Sequence, residues 1–256
     1  MTGYFRRLGP ARFDPTAFVG GGWNPAEQHI APALGLLAHL VELDHAERGG
    51  VLTLARATYD ILGTIPMEAI DTSVRVIRPG RTIELVEATL SHGGRPALVL
   101  RAWMLQPSDT SAAAGSELPA VPGPEDVAAW DPGSIWPGGF VRSVEVRRRE
   151  MEPGRAVVWV RTPASIIESE GASDTARVLG LVDISNGMTP RVDPQRMGFA
   201  NVDLTAHLFT APRGEWVGFD TTVSFGASGV GVTHSTLHDI HGPIGTVSQS
   251  LTLRPR

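Results

Sequence analysis

The chain predicts an α+β protein made of two tandem copies of one unit, each an antiparallel sheet wrapped around a single buried helix. Three observations carry this. An amphipathic helical run followed by a series of alternating, strand-like runs occurs once in each half of the chain. The turns between those strands recur at an offset of about 150 residues, Arg78-Pro79-Gly80 against Ala227-Ser228-Gly229 and His92-Gly93-Gly94 against His241-Gly242-Pro243. Between the halves, PSDTSAAAGSELPAVPGPEDVAAWDPGSIW (107–136) breaks every period around it. A connection of that length is rare inside a compact domain, where about 12–15 residues is already unusual.

In the first half, Asn24-Pro25-Ala26-Glu27 has the composition of a helix start: a capping side chain, Pro at the first helical position and a glutamate three residues after the cap. The helix continues through Ile30, Leu34, Leu37 and Val41, and Leu36, Leu40 and Leu43 widen that stripe until most of its girth is apolar and buried. The strands LTLARATY, AIDTSVRVI, TIELVEATL and ALVLRAWML follow. The second half opens with FVRSVEVRRR and AVVWVRT. A helix capped by Ser173 then runs through Val178, Leu179, Leu181 and Val182 to a stop at Asn186-Gly187, followed by DLTAHLF, WVGFDTTVSF, GVTHSTLHD and GTVSQSLTL. These readings divide the chain into 1–106, a linker at 107–137 whose second half is pinned by Trp130 and Trp136, and 138–256.

Composition excludes several functions. With 42% apolar and 19% charged residues and a net charge of -5, neither half has the basic excess that nucleic-acid binding needs. The cluster Arg147-Arg148-Arg149 is flanked by Glu145 and Glu150 and reads as a solvated strand edge. Absence of cysteine rules out thiolate nucleophiles, disulfides and Cys-ligated zinc, so the chemistry rests on oxygen and nitrogen side chains. MTGYFRRLGPARF lacks the apolar core of a secretory signal, and no run approaches the about 20 apolar residues of a membrane span, which gives a cytoplasmic expectation without membrane partners. Gly226-x-x-Gly229-x-Gly231 opens no helix and is not a nucleotide loop; no Gly-x-Ser-x-Gly elbow occurs; His234, His238 and Asp239 read as strand and turn polars, not as metal ligands.

The segments GGWNPAEQHIAPALGLLAHLVE, RATYDILGTIP, VIRPGRTIELVEATL, NVDLTAHLF, GEWVGFDTTVSFGASGVG and GPIGTVSQSLTLRP, by their order and spacing, resemble those of the double-hotdog acyl-CoA thioesterases of the thioesterase II type, in the branch common among actinobacterial sequences. The resemblance covers nearly the whole chain apart from the linker. It implies a tandem hotdog fold and hydrolysis of an acyl-CoA or acyl-carrier-protein thioester with no metal or organic cofactor. It also implies packing against a second copy.

In that family an Asp, a Thr or Ser and a Gln of the second hotdog hold the hydrolytic water. Carried onto this sequence they are Asp203, Ser224 (more often Thr in the family) and Gln249, with Asp203 as base or, by a second route, as direct nucleophile. The Gln of the family's Gly-Gly-Gln motif falls at Gln28, preceded here by Ala26-Glu27 instead of two glycines, and His29 beside it is a further candidate for lining the site. Strand parity puts Gln249 on a buried face with Val247, Leu251 and Leu253, and Ser224 on a polar face with Asp220 and Thr222, which leaves open whether the two converge. A non-catalytic acyl-CoA-binding protein of the same fold is the alternative function. A hydratase would need a His and a carboxylate paired in the helix region, and the sequence displays no clear pair of that kind.

Overall fold

The first helix lies at the centre of its half because its first twelve residues, Ile30 to Val41, are apolar apart from His39. In the computed structural model, which describes residues 2–256, this helix (α1, Ile30–Glu47) buries Ala31 through Val41 without interruption. Leu34, Leu36, Leu37 and Val41 are wholly enclosed, each stabilising the fold by roughly 1.5–3 kcal/mol relative to an exposed side chain. The helix begins later than the Asn24-Pro25-Ala26-Glu27 signature suggests. Asn24 Oδ1 instead accepts from Ala26 N (3.1 Å) in a turn and Glu27 bridges to Pro66, so the cap falls to His29, whose Nδ1 accepts from Ala31 N at 3.2 Å.

Strands β1 (Gly3–Gly9), β2 (Arg12–Pro15), β3 (Thr53–Ile61), β4 (Ile70–Arg78), β5 (Ile83–His92) and β6 (Arg95–Leu105) belong to the first half. The segment after β6 carries a two-residue strand, β7 (Ala129–Trp130), and a single helical turn, α2 (Gly139–Arg142). The second half holds β8 (Glu145–Glu152), β9 (Arg155–Arg161) and β10 (Ser165–Ile167), then α3 (Asp174–Leu179) and α4 (Ile184–Met188). It finishes with β11 (Met197–Gly198), β12 (Asp203–Leu208), β13 (Val217–Phe225), β14 (Val230–Asp239), β15 (Gly242–Thr252) and β16 (Arg254–Pro255).

The duplication is explicit in the topology. Strands β4, β5 and β6 start at 70, 83 and 95 and their counterparts β13, β14 and β15 at 217, 230 and 242, a constant offset of 147. Fourteen strands form one sheet in the order β10-β1-β2-β4-β5-β6-β3-β12-β15-β14-β13-β9-β8-β7. The two halves meet at its middle, where β3 and β12 pair antiparallel with Thr205 opposite Thr58 and Asp203 opposite Asp60. Read outward from that junction, the first six strands follow the same order on both sides, β3-β6-β5-β4-β2-β1 against β12-β15-β14-β13-β9-β8, which makes it an approximate two-fold axis.

The helices of the two halves also touch. A Cβ on Gly35 of α1 would stand 2.8 Å from Gly180 Cα and 3.0 Å from Ala176 O, so a glycine at this position allows α1 and the end of α3 to touch backbone to backbone. The second-half helix is not the single element its apolar spacing predicts. After Leu179 the chain tightens into turns closed by Leu181 N to Val178 O (2.9 Å) and Ile184 N to Leu181 O (3.1 Å), and helical structure resumes at Ile184.

Residues 107–137 run across the outer face of the second half. Pro122 O accepts from Trp159 Nε1 at 2.8 Å, Pro124 O accepts from Arg147 Nη1 at 3.0 Å, and His238 Nε2 lies 3.1 Å from Pro119 O. Val127, Val157 and Trp159 bury one another there as a small second core. Among the described residues no helix is long and apolar enough to cross a membrane.

Candidate active site

The interruption between α3 and α4 puts Asp183 at the junction of the two halves. Its carboxylate is buried, with Oδ1 accepting from Asn201 Nδ2 at 2.7 Å and Oδ2 lying 3.7 Å from Nδ1 of His29, the cap of the first-half helix. Loss of hydration pushes the Asp183 carboxyl up from 3.8 to about 6, against the opposing pull of the Asn201 hydrogen bond. Burial moves His29 the other way, down from 6.5 to about 3. The imidazole is therefore neutral, and its approach to Asp183 is not an ion pair.

These groups line a cavity of about 240 Å³ built from both halves. The first half supplies the 21–30 segment and the 61–65 turn after β3; the second supplies Asp183 to Met188 and Ala200-Asn201. Trp136 closes it from the linker, donating through Nε1 to Gly187 O (2.8 Å) and stacking edge-on against Trp23 at 4.7 Å, while Trp23 meets Phe199 at 5.2 Å. The floor is tied down by buried amides. Asn186 Nδ2 donates to Phe199 O (2.9 Å), and Gln28 Nε2 donates to Pro66 O (2.8 Å) and Glu68 O (3.1 Å), fixing the 63–68 turn as a wall.

The three carried-over residues are not brought together. Gln249 does face inward, buried beside Val247 and Leu251, with Nε2 3.4 Å from Val182 O and 3.3 Å from Ser185 Oγ, so it props the turn carrying Asp183 from behind the cavity lining; its Oε1 has no hydrogen-bond partner among the described residues. Asp203 points to the opposite face of the sheet, where Oδ1 accepts from Ser250 N at 2.6 Å and Oδ2 from Ser250 Oγ at 3.3 Å. Ser224 is exposed near the far end of β13, paired with Val232 and flanked by buried Val223. The physical reason is strand parity: inward positions alternate with outward ones, and Asp203 and Ser224 both fall on outward positions. Gln28 and His29 do line the cavity.

Asp183 and Asn201 escape the sequence reading for different reasons. Asp183 sits in the apolar run Leu179-Gly180-Leu181-Val182-Asp183-Ile184, where a lone carboxylate inside a core helix was itself the signal of a buried acid. Asn201 precedes its strand and looks like ordinary turn chemistry. The other polar groups singled out from sequence have local duties: Asp239 accepts from His241 N (2.7 Å) and Arg213 N (3.1 Å), and His234 Nδ1 lies 2.8 Å from Ser248 Oγ.

An antiparallel sheet wrapped around α1 in one half and around α3 and α4 in the other, with the halves fused at a two-fold junction, is a double hotdog. Comparison with known proteins agrees. Residues 19–105 match the family model of the acyl-CoA thioesterase N-terminal domain and residues 116–253 that of the acyl-CoA thioesterase C-terminal domain. The chain belongs to the acyl-CoA thioesterase family and is a thioester hydrolase.

Among solved structures, a hotdog-fold protein of unknown function from Alicyclobacillus acidocaldarius superposes with a TM-score of 0.77 at 14% identity, covering 98% of this chain and 96% of that one. The acyl-CoA thioesterase II TesB2 of Mycobacterium marinum gives 0.70 at 15% identity (98% and 96% covered), and a tesB protein of Mycobacterium avium gives 0.67 at 16% (98% and 96%). At these identities the structural matches speak for the fold. No curated protein matches the chain.

Proposed function

We propose that the cavity between the halves binds the thioester of an acyl-CoA, and that Asp183 is the base that activates the attacking water. The observation that carries this is a single buried carboxylate facing the cavity with its acidity shifted to about 6, where it is ionised at neutral pH and still basic enough to take a proton. In the step proposed, water oxygen bonds to the carbonyl carbon while Asp183 takes its proton. Collapse of the tetrahedral intermediate breaks the C–S bond, and the proton passes to the departing thiolate, giving carboxylic acid and free CoA thiol.

Asn201 orients Asp183 through their 2.7 Å hydrogen bond, and Gln249 supports the turn from behind. Of the trio read from the sequence, Gln249 keeps a part in this proposal and Asp203 and Ser224 do not. The repeats are read as 1–106 and 138–256, with 107–137 joining them and lending Trp136 to the cavity wall. Release of thiol from a panel of acyl-CoAs, followed colorimetrically, tests the assignment: Asp183→Asn should lose at least about 100-fold in turnover, and full activity in that variant would sink it.

The proximity of His29 to Asp183 favours one second reading, addition of water to an enoyl-CoA, because it is the His and carboxylate pair such chemistry uses. The imidazole is badly placed for it. Nδ1 is engaged by Ala31 N, which leaves the proton on Nε2 and no nitrogen free to act as base. Loss of the enoyl absorbance on mixing with crotonyl-CoA would revive this reading.

A further inference from the structure

We infer that His29 is a catalytic hydrogen-bond donor, its neutral Nε2–H aimed at the thioester carbonyl oxygen and at the oxyanion that forms there. The inference rests on the thioester reading of the cavity. Four observations on the ring support it. Its Nδ1 accepts from Ala31 N at 3.2 Å, which fixes the tautomer with the proton on Nε2. The ring packs against buried Phe140, centroids 4.3 Å apart with the planes tilted by 37°, which restrains its orientation. Nε2 has no hydrogen-bond partner among the described residues although the ring lines the cavity. Asp183 stands on the Nδ1 side at 3.7 Å, so a carbonyl on the Nε2 side would leave base and donor on different parts of the reacting group.

A purely structural account explains less. Capping α1 needs only an acceptor for Ala31 N–H, which Ser, Thr, Asp and Asn supply more readily, as Ser173 does for α3 by accepting from Ala176 N at 3.0 Å. A ring in this position costs burial that a smaller cap avoids. Burial also keeps it uncharged throughout the working range, so it donates without titrating, and the positive end of an 18-residue helix adds to the same field. A donor fixed before the charge develops stabilises the transition state more than the ground state.

Two experiments test the role. In steady-state hydrolysis, His29→Ala should lower kcat by about 10²–10³ with KM changed only a few-fold. His29→Asn, which keeps both the cap acceptor and an N–H, should recover part of that loss, and the limb of the pH profile set by Asp183 should stay where it is in both variants. An unchanged kcat in His29→Ala, or disappearance of that limb, overturns the donor role.

The second experiment reads the hydrogen bond directly. In the slow Asp183→Asn background, the carbonyl stretch of bound acetyl-, hexanoyl- or palmitoyl-CoA carrying a labelled thioester carbon should move to lower wavenumber than in water, and adding His29→Ala should abolish the shift. Binding with an unshifted carbonyl overturns the donor role and leaves the hydrolase reading standing. No binding of any of the three overturns both.

Discussion

Replacing Asp183 with Asn should make the protein a poorer catalyst and, above pH 6, a more stable molecule. The carboxyl sits in a site that raises its acidity constant from 3.8 to about 6, so the folded state holds the proton more tightly than the unfolded chain does. Stability from that preference is fully present below about 3.8 and is lost as pH rises through about 6. Two pKa units at about 1.4 kcal/mol each put the full loss near 3 kcal/mol, roughly half of it developing between pH 5 and 7.5. A neutral amide does not incur it, and its oxygen can still accept from Asn201.

The assay is urea denaturation of both proteins at several pH values, comparing the difference between them so that constant effects of the substitution cancel. The variant should gain by about 1–2 kcal/mol relative to wild type across that interval while its turnover collapses. A difference that stays flat with pH would refute the burial argument, and a gain in stability with full turnover would refute the role as base.

Four other substitutions probe the architecture and the site. Gly35→Ala should destabilise by about 1–3 kcal/mol or more, read as a drop in denaturation midpoint, because its Cβ would meet the backbone of Gly180 and Ala176, and neither can step aside. Trp136→Phe keeps the edge-on aromatic contact with Trp23 and deletes the bond to Gly187 O; kcat/KM should fall several-fold, with about 0.5–1.5 kcal/mol of stability lost. Ser224→Ala should leave hydrolysis within about twofold of wild type, and Asp203→Asn should keep turnover while weakening the tie to Ser250; loss of activity in either would restore them to the site.

What the sequence made legible follows from which interactions are local. Hairpin turns need particular residues at particular positions, so Arg78-Pro79-Gly80, His92-Gly93-Gly94 and their counterparts announced the strands and the duplication correctly. Parity along a strand is local too, and it put Gln249 inside and Ser224 outside as observed. The helix start was misplaced because Asn24, Pro25 and Glu27 suit a turn as well as a cap, and the choice was made by the distant pairing of Glu27 with Pro66.

The site itself depends on contacts that no window of sequence contains. Asp183 and Asn201 meet across 18 residues, and Asp183 and His29 come from different repeats. An apolar helical period through Val178, Leu179, Leu181 and Val182 also hid the break that turns Asp183 toward the cavity, since hydrophobic spacing reads the same through a tightened turn.

The antiparallel pairing of β3 with β12 has a consequence for how this enzyme behaves on dilution. A cavity lined by His29 from one repeat and Asp183 from the other would, in a dimer of separate chains, vanish as the partners drift apart. Here the covalent connection through 107–137 holds the repeats at an effective concentration in the millimolar range or above, typical of short tethers. Activity per molecule should therefore stay constant down to the lowest protein concentration an assay can follow, with the chain length between the halves, not an equilibrium between subunits, setting how often the cavity is whole.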